Sequence, residues 1–372
     1  MNKKTLIIAG SSIIGLLVAL ILVLYLVTVL KPRYYSYEKA EELIESAVDT
    51  YYKKNPAMLP SEDGSYDLNY SVLVEGEYIK PLNEILKDGD SCTIQISVNK
   101  KDLVYSYIPY LNCGDKYQTI ELYKKIINDN EVITTGSGLY QDTEGNYYFR
   151  GKVKNNYVSF GIIDDGSDTE PRIWRIIGID SNNNIKLRST QATETKSAWD
   201  DRYNAEEKSY IGYNDFEYSI IKERLNDLYN GNAILTDEEK TKLVATKLCI
   251  GARTLEDTST DGKTECSVLT TDDYYFSTLL PYEYMRASLD ENCTGMKNNS
   301  CTNFNYLSES QKTEWIITKD ASTNYTAYKF DGNRFESDKA KQVRVLYLVI
   351  NLNEYSFYKS GNGTEENPYI LK

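Results

Sequence analysis

The chain of 372 residues contains no histidine. Without an imidazole, it cannot supply Ser-His-Asp or Cys-His catalysis, and it cannot form a histidine-ligated zinc site. One nucleophile pattern remains, because Ser219 and Lys222 have the Ser-x-x-Lys spacing that sets a lysine one helical turn from a nucleophile. No Lys-Thr-Gly strand follows, and this spacing arises often in helices. The sequence therefore predicts no catalytic residue.

The densest acidic cluster is a candidate cation site. Asp164, Asp165 and Asp168 lie together just before Glu170. Calcium requires several oxygen ligands at about 2.4 Å, and carboxylates are its usual protein ligands. The cluster lacks the residue order of an EF-hand loop, and a solvated turn is the alternative. We expect no other cofactor, and calcium at these three aspartates is the open possibility.

Aromatic residues are the other candidate ligand contacts. The chain has 34 tyrosines against 8 phenylalanines and 3 tryptophans, and a tyrosine ring suits both sugar stacking and protein interfaces. The alternative is that an AT-rich genome favours tyrosine codons. Trp174 and Trp315 lie in apolar runs typical of core strands, whereas Trp199 is flanked by acidic residues. We therefore predict a ligand surface that includes Trp199, Tyr274 and Tyr275, with Tyr147-Tyr148 and Tyr282 with Tyr284 as further dense pairs.

The six cysteines indicate disulfide bonds. None of them forms a Cys-x-x-Cys pair, and without histidine a zinc site is a poor explanation. Six cysteines allow 15 connectivities, so pairing by the shortest loops is a choice rather than a deduction. Six reduced thiols in a cytosolic protein are the alternative. The favoured pairs are Cys92 with Cys113, Cys249 with Cys266, and Cys293 with Cys301.

An apolar run near the N-terminus predicts a membrane anchor. Residues 5–30 carry no charge, and about 20 such residues cross a bilayer. The run is longer than the apolar core of a cleaved signal peptide, and basic residues flank it on both sides. We expect a single span with a cytoplasmic N-terminus and residues 34–372 outside the cell. The chain has a net charge of −13, which argues against nucleic acid as a partner.

The soluble part is long enough for two domains. A cytoplasmic tip and anchor at 1–33 precede a domain at 34–132 and a domain at 133–372, with a hinge predicted at Thr134–Gly138. Helical periodicity runs from Tyr34 to about Lys54, and short strands are predicted after Pro60. The strands are predicted at Leu73-Val74, Tyr78-Ile79, 92–98 and 104–108. In the later domain, the apolar run at Ile173–Ile179, a polar turn and Ile185–Arg188 predict a hairpin, and Thr236 with Glu239 has the spacing of a capping box. We expect an α+β fold.

The stretch from Glu41 to Lys80 combines a predicted long helix with Tyr51-Tyr52, Leu59-Pro60 and then residues 73–80. In these features the N-terminal domain resembles type IV pilin-like and pseudopilin-like surface proteins. The resemblance implies a helix packed on a small antiparallel sheet. It also implies partners in a pilus-like assembly.

The C-terminal domain contains a series of short motifs in a fixed order. They include Phe149-Arg150-Gly151, Trp174-Arg175-Ile176-Ile177-Gly178-Ile179, Ala287-Ser288-Leu289 with Cys293 and Cys301, Asn305-Tyr306-Leu307, and Gly361-Asn362-Gly363 with Asn367-Pro368-Tyr369. In these motifs the domain resembles an uncharacterised domain of membrane-anchored surface proteins of low-G+C Gram-positive type. The resemblance implies a β-rich fold akin to C-type lectins and formylglycine-generating enzymes, with few helices and disulfide-tied loops. It implies no established activity.

These observations predict a non-catalytic recognition or adhesion protein of the cell surface. Its partners would be the membrane, through residues 5–30, and a glycan or protein ligand bound by the distal domain. A structural component of a pilus-like or secretion assembly is the first alternative. A cell-wall-modifying enzyme is the second alternative, and it would require a carboxylate pair or a metal ion.

Overall fold

The computed structural model describes residues 34–101, 104–164, 169–309 and 312–372. These ranges form a mixed α and β structure with more strand than helix, as predicted, and contain seven α-helices. By its contacts the chain divides into two compact units, Met1–Thr119 and Ile120–Lys372. The apolar run at 5–30 lies outside the described residues. In the described ranges, no helix has the length and apolar character needed to cross a bilayer.

Helix α1 of the first unit spans Tyr37–Lys54 and confirms the predicted N-terminal helix. The Ser36 hydroxyl accepts a hydrogen bond from the Lys39 N–H, which caps the first turn. The helix ends at Asn55, because Pro56 cannot continue it. Apolar residues spaced three and four apart, including Ile44 and Val48, form its buried face.

This face packs on an antiparallel sheet in the order β1-β2-β3, formed by β1 (Gly64–Leu68), β2 (Thr93–Lys101) and β3 (Val104–Asn112). Strands β2 and β3 confirm the predictions at 92–98 and 104–108. The strand predicted at Leu73-Val74 is wrong, because these residues lie in the short helix α2 (Tyr70–Glu75), which Asn69 caps. Tyr78-Ile79 forms a bend instead of the predicted strand. Helix α3 spans Leu82–Ile85.

A large sheet organises the second unit. Its strands follow the order β18-β8-β7-β6-β20-β19, and the hairpin of β4 and β5 joins it through β7. Strands β6 and β20 pair in parallel, and the other pairs are antiparallel. The strands are β4 (Gly138–Gln141), β5 (Tyr147–Arg150), β6 (Tyr157–Asp164), β7 (Thr169–Ile179), β8 (Ile185–Ser189), β18 (Val349–Leu352), β19 (Tyr358–Ser360) and β20 (Tyr369–Leu371).

The β7–β8 hairpin confirms the strand pair predicted from the apolar run at Ile173–Ile179 and the polar turn after it. Trp174 has no exposed surface and donates its indole N–H to the Phe160 carbonyl at 2.6 Å. Trp315 is also fully buried. Both tryptophans are core residues, as predicted.

Smaller elements surround the large sheet. A three-stranded sheet contains β14 (Glu314–Lys319), β15 (Thr326–Phe330) and β16 (Phe335–Lys339). Three strand pairs join β12 (Thr246–Cys249) to β13 (Leu269–Tyr274), β9 (Ser197–Ala198) to β17 (Val343–Arg344), and β10 (Tyr203–Asn204) to β11 (Ser209–Tyr210). The helices are α4 (Leu122–Asp129), α5 (Ile220–Asn230), α6 (Asp237–Lys240) and α7 (Pro281–Ala287).

The predicted hinge at Thr134–Gly138 lies within the second unit, which begins at Ile120 and includes α4. Residues 134–137 form a bend. The Tyr140 hydroxyl donates a hydrogen bond to the Gly136 carbonyl at 2.7 Å. The capping box predicted at Thr236 and Glu239 is present at the start of α6.

The six cysteines form three disulfides. The pairs are Cys92–Cys113, Cys249–Cys266 and Cys293–Cys301, which are the three pairs favoured by the short loops. No free cysteine remains in the chain. Three disulfides are consistent with an extracellular protein.

Replacing Cys249 and Cys266 by serine should lower the free energy of unfolding by about 3 kcal/mol, because the link closes a loop with a sequence separation of 17. Urea unfolding followed by tryptophan fluorescence measures this, since all three tryptophans lie in the second unit. In reductant the variant and the parent chain should have equal stability. A difference that persists in reductant would mean that packing, not the covalent link, causes the loss.

Candidate functional site

An open cleft of about 530 Å³ lies in the second unit, where four segments meet. These are the turn between β4 and β5 with β5 itself, the loop at 260–263, helix α7, and the loop at 288–293. Three cationic side chains line it, namely Arg150, Lys263 and Arg286. Five carboxylates also line it, namely Asp142, Glu144, Asp261, Asp290 and Glu291.

Glu265 fixes the start of α7. Its Oε1 accepts hydrogen bonds from Nη1 of Arg253 at 2.5 Å and from the Tyr282 N–H at 3.1 Å. The Glu265 and Arg253 side chains are both fully buried. Burial raises the pKa of the Glu265 carboxyl, and the Arg253 guanidinium opposes that rise. Cys266, the next residue, forms a disulfide with Cys249 of β12. The backbone beside the Glu265 carboxylate is therefore restrained as well.

The body of α7 has further anchors. Glu283 accepts a hydrogen bond from the Leu280 N–H at 2.9 Å and pairs with Lys186 of β8. The Tyr284 hydroxyl donates to the Asn333 carbonyl at 3.0 Å, and the Asn305 amide donates to the Tyr284 carbonyl at 2.8 Å. These bonds join the helix to the large sheet and to two loops. Side chains on α7 therefore project from a fixed position.

The end of α7 contacts the end of β5. The Gly151 N–H donates to the Ala287 carbonyl, and the Arg150 guanidinium donates to the Ser288 carbonyl, each at 2.8 Å. Gly151 has a φ of +84°, and a Cβ at this position would overlap the Ser137 side chain. A glycine is required because the backbone is left-handed and the space is filled. This junction sets the distance between the two elements that carry Tyr148 and Arg286.

Arg286 lies over two tyrosine rings. Its guanidinium carbon is 4.2 Å from the ring centroid of Tyr148 on β5 and 5.4 Å from that of Tyr282 on α7. Such contacts are attractive because the ring face is electronegative. Within the described ranges, no acceptor lies at hydrogen-bonding distance from this guanidinium, and no carboxylate pairs with it. Its N–H groups are therefore open to a ligand in the cleft.

Three of the cleft carboxylates are held by turns of their own backbone. Asp142 accepts from the N–H groups of Glu144 and Asn146, at 3.0 and 2.9 Å. Burial alone would raise the pKa of Asp142. Hydrogen bonds, mainly those from Asn146, outweigh the effect of burial and lower this pKa. Hydrogen bonds from Asn303 and Asn292 lower the pKa of Asp290.

The third of these carboxylates is Asp261, on the loop before Glu265. Hydrogen bonds, first from Ser259 and then from Lys263, lower the pKa of Asp261 to about 2. Asp142, Asp261 and Asp290 therefore stay ionised at physiological pH. As anions they accept hydrogen bonds and do not donate them.

The predicted ligand residues lie elsewhere, and the prediction for Trp199 needs correction. Trp199 has no exposed surface, and its indole N–H donates to the Ile316 carbonyl at 2.9 Å. The acidic flanking residues suggested a surface position, but the ring is in the core, where no ligand can stack on it. Tyr274 is 5% exposed, and one face of Tyr275 is covered by the Tyr229 ring at 4.2 Å.

None of these three residues lines the cleft. Tyr148 does line it, and the tyrosine pair at 147–148 was the sequence signal that pointed there. No sequence pattern indicated Arg286 as a site residue, because the Tyr148 ring that it contacts is 138 positions away in the chain. Sequence inspection alone could not bring the two together.

The predicted calcium site falls largely outside the described residues. Asp165 and Asp168 are outside them, and of Asp164 the structure describes the backbone at the end of β6. Among described residues, no group of three or more Cys, Asp or Glu side chains is placed to hold a metal ion.

Ser219 is the N-cap of α5 and has the contacts of a structural residue. Its hydroxyl donates to the Phe216 carbonyl at 2.8 Å and accepts from the Lys222 N–H at 3.2 Å. The Lys222 ammonium bonds Glu217 instead of Ser219. Ser219 therefore acts as the helix cap of α5, and the Ser-x-x-Lys pattern here does not pair its hydroxyl with the lysine ammonium.

The sequence matches no family model, and neither a curated protein nor a solved structure matches it. The chemistry of the cleft is therefore the basis for the function proposed below.

Replacing Gly151 by alanine should destabilise the second unit more than replacing Gly136 by alanine. Both glycines have a φ of +84°, so both variants incur the left-handed strain of about 1–2 kcal/mol. Nothing lies within 4 Å of a Cβ at position 136, whereas a Cβ at position 151 overlaps Ser137. We expect an additional loss of at least about 1 kcal/mol for Gly151→Ala in urea unfolding. Equal losses would contradict the close packing of Gly151 against Ser137.

Proposed function

We propose that the second unit is a non-catalytic recognition module that binds a saccharide in the cleft formed by β5 and α7. The observation that carries this proposal is the composition of the cleft wall. It combines an aromatic ring, an arginine that bonds no acceptor among the described residues, and carboxylates that accept hydrogen bonds. Sugars are recognised by these groups, because their hydroxyls donate to carboxylates and their C–H faces pack on aromatic rings.

The scarcity of apolar surface in the cleft supports a saccharide over a peptide. Met285 lines the cleft but is 2% exposed, and Cys293 is bound in a disulfide. Peptide ligands are generally anchored by apolar side chains in pockets, and this wall offers no such pocket. Polar side chains, including Thr143, Thr260 and Ser288, make up much of the remaining wall.

Two features support binding without catalysis. Glycoside hydrolysis uses a carboxyl group with a raised pKa as the acid, whereas the shifts at Asp142, Asp261 and Asp290 are all downward. The chain has no histidine that could replace that acid. These features favour recognition over the predicted alternative of a cell-wall-modifying enzyme.

The module would act outside the cell, attached to the membrane. Three disulfides are consistent with an oxidising compartment, and the apolar run at 5–30 has the composition of a membrane span. In this proposal the N-terminus stays in the cytoplasm and residues 34–372 are extracellular. The fold of the second unit would be the lectin-like one that the sequence resembles.

A structural role in a pilus-like assembly is a second candidate. It is favoured by the first unit, where an 18-residue helix that follows the apolar run packs on a small antiparallel sheet. This is the element order of a pilin. A chain with such a role should sediment with filaments sheared from intact cells, whereas a separate anchored module should remain with the membrane fraction.

Replacing Tyr148 by alanine should weaken saccharide binding at least about tenfold, because the ring supports Arg286 and offers its own surface to the ligand. A glycan array probed with the full oxidised chain in detergent should first identify a saturable ligand, and titration calorimetry then gives the affinities. Tyr210, which is 70% exposed and does not line the cleft, provides the control variant Tyr210→Ala.

Tyr210→Ala should bind as tightly as the parent chain. The proposed function fails if no glycan binds saturably. It also fails if the affinity is the same with and without the Tyr148 ring.

A further inference from the structure

We propose that Arg286 binds a carboxylate of the ligand, so that the module recognises acidic saccharides such as uronates. This inference rests on the proposed function and specifies the substrate class of the same cleft. The guanidinium is planar, and it presents a fork of N–H donors that matches the two oxygens of a carboxylate. Tyr148 and Tyr282 lie against the guanidinium and restrict its orientation before any ligand arrives.

A comparison among arginines shows that Arg286 is unusual in this chain. In the described ranges, five arginines lie over aromatic rings, namely Arg150, Arg175, Arg188, Arg286 and Arg344. Four of them also bond a protein acceptor: Arg150 bonds the Ser288 carbonyl, Arg175 the Val153 carbonyl, Arg188 the Glu314 carboxylate, and Arg344 the Asp338 carboxylate.

Arg286 has the same ring contacts without an acceptor. A partly buried guanidinium loses part of its hydration, and a protein acceptor normally replaces that water. The Arg286 side chain lines the cleft. An anionic group supplied by the ligand would complete the coordination that the other four arginines obtain from the protein.

The cleft carboxylates do not serve as that acceptor. Asp142 is near enough for the charge of Arg286 to contribute to lowering its pKa, yet the two groups form no ion pair. Its oxygens accept hydrogen bonds from the β4–β5 turn instead. Lys263 is paired with Asp261 at 3.0 Å, and the Arg150 guanidinium donates to the Ser288 carbonyl. Among the three cations of the cleft, Arg286 is therefore the one for which a ligand can supply the acceptor.

The surrounding charges specify the kind of anion. Five carboxylates against three cations give the wall an excess of negative charge. A densely charged polymer, such as a polysulfate or a polyphosphate, would be repelled by this wall. A sugar with one carboxylate can direct that group to Arg286 and its hydroxyls to the carboxylates. A uronate meets both requirements.

The test uses a matched pair of ligands. A disaccharide with a single galacturonate unit and its methyl ester have the same sugar rings, but the ester lacks the negative charge and the second equivalent oxygen. Titration calorimetry with the full oxidised chain should give an affinity at least about tenfold higher for the free acid. A sulfated oligosaccharide of the same length should bind more weakly than the uronate.

The protein variants complete the test. Arg286→Gln should remove the preference for acid over ester, and Arg286→Lys should retain part of it, because lysine keeps the charge without the fork. The control is Arg334→Gln, since Arg334 is exposed and its partner Glu336 remains paired with Lys329. Thermal unfolding of each variant confirms that the fold is kept. The ligand pair on the unmodified chain tests the proposal even if an Arg286 variant fails to fold.

Equal binding of acid and ester would overturn the role of Arg286 and leave the proposed saccharide binding intact. Stronger binding of the sulfated sugar would also overturn the assignment of a carboxylate. If the acid is preferred but Arg286→Gln keeps the preference, the carboxylate is bound elsewhere and the proposal is wrong. If no glycan on the array binds the chain, the proposed function itself is wrong.

Discussion

The geometry of the cleft depends on one buried carboxylate. Glu265 accepts hydrogen bonds from Arg253 and from the first turn of α7, and neither of the two charged side chains has contact with solvent. Removing one partner of such a pair typically costs about 3–5 kcal/mol, because the remaining charge stays buried without compensation. The disulfide at Cys266 restrains the same segment. The loop before α7 is therefore restrained by a buried ion pair and by a disulfide bond.

In the proposed function, the fixed position of α7 prepares Arg286 for ligand binding. Because α7 is anchored at Glu265, Glu283 and Tyr284, and because Gly151 allows β5 to approach its end, the Tyr148 ring and the guanidinium come together without ligand. A binding group that is already ordered loses little conformational entropy when the ligand arrives. The cleft thus combines rigid walls with a guanidinium that bonds no acceptor among the described residues, which is the arrangement that the proposed function requires.

Local sequence patterns predicted much of the fold. They failed where contacts between distant parts of the chain determine the structure. Helix α1, strands β2 and β3, the β7–β8 hairpin, the capping box at Thr236 and the cysteine pairs all follow from neighbouring residues. Leu73-Val74 was misassigned because a short apolar run suits either a strand or a helix, and the Asn69 cap decided it. Trp199 was misplaced because an acidic neighbour does not imply a surface position: Asp200 is itself fully buried and accepts hydrogen bonds from Arg202 and from the Tyr213 N–H. The cleft brings together β5, α7 and two loops, and no local pattern could predict it.

Hydrogen–deuterium exchange of the full oxidised chain, with and without the disaccharide that has a single galacturonate unit, tests the central claim most directly. If the sugar binds in the cleft formed by β5 and α7, exchange should slow at the amides of residues 142–150, 260–263 and 282–293. Amides of the first unit and of β10–β11 should exchange at the same rate in both samples. Slower exchange confined to another surface, with these three segments unchanged, would contradict the account.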